Sequence, residues 1–412
     1  MNITMMVGEF PSVSEQFIFN QIGALIDAGH NVRILASGVA DQPDYGGVVA
    51  KYRLMERVRF ANVPKSSWRR FITGVVKILK LLFIETKKTK QALNVDRYRT
   101  AASRLKTVFY LDLLRRDSAI EILHCHFGPM GLTGLFLKEV GLAERLAVTF
   151  HGSDINSYPL RHGGRVYHAL WDNSDIFTAN TTFTAGRMSD YGCKLSSIHV
   201  LPVGLETASF PVRNYVSDPK RFVLLFVGRM VEKKGLVYLI DALASLHQSV
   251  QGLECKIVGD GPLRSSLETY ARQRNVHSVT QFLGAMPGHE VRDLYQTCDV
   301  FVLPSVTAAN GDMEGQGLVL QEAQASGCPV ISTLHNGIPD GVVDGETGLL
   351  VPEKDSAALA NAILQFATRR ELITKMGLSA ATFARSRYDI AQLNEQLLSV
   401  YRRAIEENSA RG

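Results

Sequence analysis

Short runs of β-branched and aliphatic residues alternate along this chain with longer amphipathic stretches. That alternation admits few folds: parallel strands joined by helices that cover both faces of a sheet. Ile3–Val7 is followed by a predicted helix over Ser14–Ala28 and a second strand at Val32–Leu35. Further strands are expected at Ile122–Cys125, Leu146–Phe150, Ile176–Ala179 and Ile198–Leu201. Beyond a polar stretch, Asn214–Lys220, the pattern restarts. Strands are predicted there at Phe222–Val227, Cys255–Val258, Val279–Phe282, Val300–Leu303, Pro329–Ser332 and Gly348–Val351, with helices near Leu236–His247, Pro262–Gln273 and Leu318–Ser326.

Two series predict two α/β, Rossmann-like domains, and 412 residues is too long for one ordinary core. The expected division is residues 1–205, a linker at 206–220, a second domain at 221–387 and a closing helix within 388–412, able to cross back to the first domain. Ligands of open α/β sheets bind outside the carboxyl ends of the strands, so the site is expected in a cleft between the two domains.

A hydrophobic fraction of 46% and a charged fraction of 21% fit a soluble globular protein. Met1–Val7 has no basic preface or small-residue cleavage site and reads as a strand rather than a secretory signal. The apolar stretch Phe71–Ile84 is interrupted by Gly74, Lys77 and Lys80 and falls short of the ~20 residues of a spanning helix. Five scattered cysteines without a C-x-x-C pair argue against a disulfide framework and a zinc site, and point to the cytosol. Charge is unevenly spread: Pro64–Lys106 holds twelve lysines and arginines against Glu85 and Asp96, which leaves the rest of a chain of net charge +5 acidic. Such asymmetry describes one surface and what docks there, and gives no general case for nucleic acid.

The segment richest in chemistry is Glu314-Gly-Gln-Gly-Leu-Val-Leu-Gln-Glu322, leading from a predicted strand end into a helix. Unpaired amides at that helix start, around Gly317 and Leu318, suit a diphosphate, and a carboxylate such as Glu322 can accept hydrogen bonds from both ribose hydroxyls. Taken alone, the pair equally fits a capping acid and a solvated charge. Strand Phe222–Val227 ends in Gly228-Arg229-Met-Val-Glu-Lys-Lys234-Gly235, placing a guanidinium and an ammonium where a diphosphate would arrive. Val258-Gly259-Asp260-Gly261 departs from a dinucleotide fingerprint, because Arg264 stands in place of its third glycine.

Together these residues resemble the retaining glycosyltransferases of family four, which have the two-lobed GT-B fold, and the resemblance runs over nearly the whole chain. Arg229 and Lys234 fall on the family's diphosphate pair and Glu314 and Glu322 on its E-x7-E motif. Asn336-Gly-Ile-Pro-Asp340 and Asp344–Val351 match its closing signature, with Asn336 and Asp340 replacing the commoner Gly and Glu. The resemblance implies that Glu322 holds the ribose, Arg229 and Lys234 the diphosphate, and Glu314 a donor-sugar hydroxyl, with the base near Leu283 and Gly284. Phe150-His151-Gly152-Ser153-Asp154 resembles the family's histidine-glycine element, which sets His151 near the transferred sugar, with His126 and Asp154 as further candidates on the acceptor side. Gly8, read as ending the first strand, stands for the glycine pair that lets the first loop approach the phosphates. The continuation Glu9–Ile18 looks like the colanic-acid and amylovoran type exopolysaccharide subgroup, in which Glu15 belongs either to the acceptor side or to the start of the first helix.

What this implies is a hexosyltransferase that moves a sugar from a UDP or GDP sugar to a glycan or polyprenyl-diphosphate-linked acceptor, without a metal or other cofactor. Competing readings are a sugar-nucleotide epimerase, a glycogen-type phosphorylase relative, and a catalytically silent nucleotide-sugar-binding subunit of an assembly complex. On a helical wheel Trp68, Phe71, Ile72, Val75, Leu79, Leu82 and Phe83 share one face and Arg69, Arg70, Lys77, Lys80, Lys87 and Lys88 the other. Residues 64–90 are therefore expected to meet an anionic membrane surface, making the protein cytoplasmic and peripheral to the inner face of the membrane.

Overall fold

The computed structural model describes residues 1–41, 43, 45–215, 218 and 220–409. Of the expected linker, residues 216, 217 and 219 lie outside the described residues, as do residues 410–412 of the closing segment. The chain divides into two compact units, Met1–Gly204 with Ile390–Gly412, and Leu205–Asp389.

The first unit holds seven parallel strands: β1 (Asn2–Phe10), β2 (Asn31–Val39), β3 (Val58–Phe60), β4 (Ile120–His126), β5 (Ala143–Phe150), β6 (Ile176–Ala179) and β7 (Ile198–Val200), in the order β3-β2-β1-β4-β5-β6-β7. The second holds β8 (Phe222–Val227), β9 (Leu253–Val258), β10 (Thr280–Gly284), β11 (Val300–Leu303), β12 (Val330–Thr333) and β13 (Gly348–Val351), in the order β10-β9-β8-β11-β12-β13. Both orders reverse between the first and fourth strands of the core, the Rossmann arrangement. Helices on both faces bury these strands on both sides, which is why they read as continuous apolar runs: Phe222, Val223, Leu224, Leu225 and Phe226 are all buried.

Gly8 does not end the first strand. β1 pairs with β2 as far as Phe10, so the loop opens two residues later than the sequence suggested. A Cβ at Gly259 would lie 2.0 Å from the carbonyl oxygen of Gly228, so glycine there lets the loops after β8 and β9 touch, fastened by Met230 N–H to the Asp260 carbonyl at 2.8 Å.

The closing helix, Ile390–Ser409, belongs to the first unit. Leu397, Leu398 and Tyr401 join a core with Ile3, Ile18 and Ile22, and Asn394 donates to the Gln21 carbonyl at 3.3 Å.

The helix Ser67–Ile84 reverses the usual arrangement of an outer helix. Its packed side is narrow: Gly74 and Leu81 are buried and Ile78 is partly so, and Lys77 and Lys80 both reach the carboxylate of Asp112. Its outward side is apolar, with Trp68 70%, Phe71 57%, Val76 62%, Leu79 56% and Phe83 91% exposed. No helix among the described residues is long and apolar enough to cross a membrane.

Candidate active site

In the second unit the strand order changes direction between β8 and β11, and the loops leaving these two strands bring the predicted residues together. Lys234 closes a turn of 3-10 helix, Glu232–Lys234. The long loop after β11 carries Glu314 back to it, and the Lys234 ammonium lies 2.7 Å from the Glu314 carboxylate. Both side chains are largely buried. Burial pushes the Glu314 carboxyl up, but Lys234 first and then Lys233 outweigh it and hold the group below its ordinary value. Lys233 itself grips the loop through Asp312 and the Met313 carbonyl, each at 3.2 Å.

Gly317 adopts the left-handed conformation at the start of the Leu318–Ala325 helix, which a side chain would strain, and this turn leaves the first amides of the helix without intrahelical partners. Glu322 sits in the second turn. Its carboxylate accepts a hydrogen bond from the Tyr295 hydroxyl at 3.0 Å. Burial raises its pKa to about 7, against the smaller opposing effects of Tyr295 and Arg292. Arg229 is exposed just past the end of β8, and among the described residues no carboxylate forms an ion pair with it. Gly284 ends β10, with Leu283 39% exposed beside it, two strands away from β8 across β9.

Residues that the sequence reading passed over hold this loop in place. The Glu314 amide donates to His335 Nε2 at 3.0 Å, His335 Nδ1 lies 2.6 Å from Glu353, and Glu353 accepts the Thr307 amide at 2.7 Å. Asn336 also donates to the Glu314 carbonyl. His335 immediately precedes the Asn336–Asp340 signature and follows the end of β12, while Glu353 follows β13. A strand-end position was the available signal for both.

In the first unit His126 ends β4 and His151 follows β5. The rings of His124, His126 and His151 form a nearly parallel stack with centroids 4.7 and 5.4 Å apart, and His126 Nδ1 lies 3.1 Å from His151 Nε2. Burial lowers all three: His124 and His151 to about 3, and His126 well below its ordinary value. They are neutral rings across the physiological range. His151 Nδ1 is buried without a hydrogen bond. Asp154 is buried and accepts the amides of Gly128, His151 and Gly152 at 2.9, 3.1 and 2.9 Å, so it fastens the His151 loop to the loop after β4. Glu15 ends the turn before the first helix, raised to about 7 by burial and by Glu9, with Oε2 buried and unbonded.

Two Rossmann-like units in one chain form the fold of the GT-B class; within it one unit sets an ion-paired lysine and glutamate at its switch point and the other buries histidines at its strand ends. Glycosyl transferases group 1 matches residues 212–382, and Glycosyltransferase Family 4 matches residues 14–209. The chain is 35% identical over 374 residues to the putative colanic acid biosynthesis glycosyltransferase WcaL of Escherichia coli (strain K12), covering 89% of this chain and 90% of that protein. It is 29% identical over 412 residues to the amylovoran biosynthesis glycosyltransferase AmsK of Erwinia amylovora, covering 98% and 100%. Among solved structures, Anabaena Alr3699/HepE in complex with UDP and glucose superposes with a TM-score of 0.72 at 16% identity over 97% of this chain and 98% of that one. Sucrose-phosphate synthase from Thermosynechococcus elongatus gives 0.74 at 19% identity over 99% and 100%. The chain belongs to the family-four glycosyltransferases, and it is a hexosyltransferase.

Proposed function

We propose that the protein is a retaining glycosyltransferase of exopolysaccharide assembly, moving a hexose from a UDP or GDP sugar to a polyprenyl-diphosphate-linked glycan at the cytoplasmic face of the membrane. The observation that carries the donor reading is the buried Lys234–Glu314 pair at 2.7 Å beside the start of the Leu318–Ala325 helix. A diphosphate arriving there meets Lys234, the helix amides and Arg229, while Glu322 takes the ribose hydroxyls and Glu314 a hydroxyl of the sugar. As the bond between the anomeric carbon and the phosphate oxygen breaks, negative charge grows on the diphosphate, and these fixed donors stabilise it. The acceptor oxygen bonds to the anomeric carbon on the same face, and its proton passes to the departing phosphate oxygen. His151, neutral, contributes as a hydrogen-bonding group rather than as an acid. In this scheme no metal carries a step. The relatives' names, colanic acid and amylovoran biosynthesis, support the exopolysaccharide reading.

The decisive experiment is a turnover panel of UDP- and GDP-hexoses with a lipid-diphosphate acceptor, product configuration read by NMR. An inverted product overturns the retaining mechanism, and loss of activity in EDTA restored by a divalent ion overturns the metal-free one. Donor binding with neither transfer nor hydrolysis would leave the silent-subunit reading standing.

The outward apolar face of Ser67–Ile84 supports a membrane location, because bulky exposed side chains flanked by basic residues match an interfacial helix. Lys77 and Lys80 are engaged by Asp112, so reversing them tests the fold as much as the membrane. The cleaner variant changes Trp68, Phe71 and Phe83 to serine and Arg69 to glutamate. It is expected to lose co-sedimentation with phosphatidylglycerol vesicles and keep transfer to a short soluble acceptor. Unchanged sedimentation would remove the membrane from the proposal.

A further inference from the structure

The loop from Pro304 to Gly317 carries Glu314, and two points near its ends are tied to one carboxylate. Glu353 Oε2 accepts the Thr307 amide at 2.7 Å, and Glu353 Oε1 lies 2.6 Å from His335 Nδ1. The other ring nitrogen, Nε2, faces the Glu314 amide at 3.0 Å. A backbone amide can only donate, so Nε2 accepts and the proton sits on Nδ1, pointing at Glu353. The orientation of the ring is thus fixed from both sides, and its side chain is only 1% exposed. The Glu353 carboxylate, raised by burial but lowered more by the Thr307 amide and His335, stays below its ordinary value.

We propose that His335 and Glu353 are positioning residues for sugar transfer: together they brace the loop at Thr307 and Glu314 and so set the Glu314 carboxylate against Lys234. This rests on reading Glu314 and Lys234 as donor-site groups. Lys233 grips the loop independently through Asp312 and Met313, so the brace orients the stretch at Glu314 without being the sole anchor of the whole loop. The chemistry is specific to an imidazole or a group that imitates it, with an acceptor on one side and a donor on the other at similar separation. A carboxamide has that pattern, whereas a phenyl ring has the shape alone.

The test uses the full chain and the UDP- or GDP-hexose that the wild type consumes fastest in the panel above. His335→Phe is expected to lower kcat about 100-fold, the scale of a misplaced group, while the donor KM changes only a few-fold. Glu353→Gln, which can accept only one of its two donors and opposes the other, is expected to lower kcat about tenfold. His335→Gln is expected to recover most of the loss seen in His335→Phe, and it decides the matter if the phenylalanine variant does not fold. Adding Glu314→Gln to the His335 variant is expected to cost little more, because the histidine acts through Glu314. A folded His335→Phe with full kcat, a glutamine variant no better than phenylalanine, or losses that simply multiply in the double variant would overturn the brace. If Glu314→Gln alone retained full kcat, the donor-site reading itself would fail, and the brace with it. A crippled Glu314→Gln beside an intact His335→Phe would sink the brace alone.

Discussion

The two units solve the same topological problem with opposite electrostatics. Toward the carboxyl edge of the first sheet burial strips charge from three stacked histidines, whereas in the second unit it surrounds an ion pair, Lys234–Glu314, and a carboxyl on the following helix, Glu322, raised to about 7. The difference teaches where each unit can respond to charge. The buried neutral rings keep their state across the physiological range, while the second unit holds a charged pair and a carboxyl poised to change state.

Acid should separate the units most strongly. In the unfolded chain the histidines take up protons near pH 6.5, and in the folded first unit His124 and His151 do not until about 3. Their stabilising contribution is therefore complete above pH 6.5 and is lost as pH falls toward 3. His126, lowered in the same direction, adds to that loss, and Glu15, shifted upward, opposes it only between about pH 7 and 4.5. Glu322 acts in the other direction: its folded pKa is raised, so its penalty relaxes as pH falls from about 7 to 4.5. Both tryptophans, Trp68 and Trp171, lie in the first unit, so their fluorescence should report loss of structure between pH 6 and 4 while amides of Leu205–Asp389 still resist hydrogen exchange. Earlier loss of protection in the second unit breaks the comparison.

Next in size is Lys234→Ala, expected to lower turnover about 100- to 1000-fold, as for removal of one preorganised donor. Arg229, exposed and without an ion pair among the described residues, should cost less than Lys234 in the same initial-rate assay. Equal losses would mean that burial is not what gives the lysine its effect. Glu322→Ala should weaken nucleotide binding by about 1.5 to 3 kcal/mol by calorimetry, since ribose hydroxyls lose a charged acceptor. The smallest effect sharpens the assignment. With Glu322 titrating at about 7, wild-type affinity for UDP or GDP should fall by up to about fivefold from pH 7 to 6 as the carboxylate becomes protonated. That slope should be absent in Glu322→Gln.

Strands were legible because both faces are buried: β6, β8, β11 and β13 start and end where their apolar runs do. β3 escaped because it is a three-residue edge strand, with Arg59 exposed in its middle. Lys234, Glu314 and Glu322 could be read from a motif, but what fixes them could not. Tyr295 meets Glu322 across 27 positions and His335 meets Glu314 across 21, pairings that only the fold creates. The amphipathic period of Ser67–Ile84 was plain in the sequence. Which side faces the protein was not, because a period gives the spacing of a stripe and leaves its direction open.

The placement of the last helix has a consequence for the order of synthesis. His124 is held by Tyr401, and the core around Ile3, Ile18 and Ile22 is completed by Leu397 and Leu398, so the unit that emerges first from the ribosome is finished last. The second unit, continuous from Leu205 to Asp389, can close while the first still waits for its final helix. A chain ending at Asp389 would carry a complete second unit tethered to an amino-terminal sheet whose apolar seam, otherwise covered by Leu397, Leu398 and Tyr401, stays open.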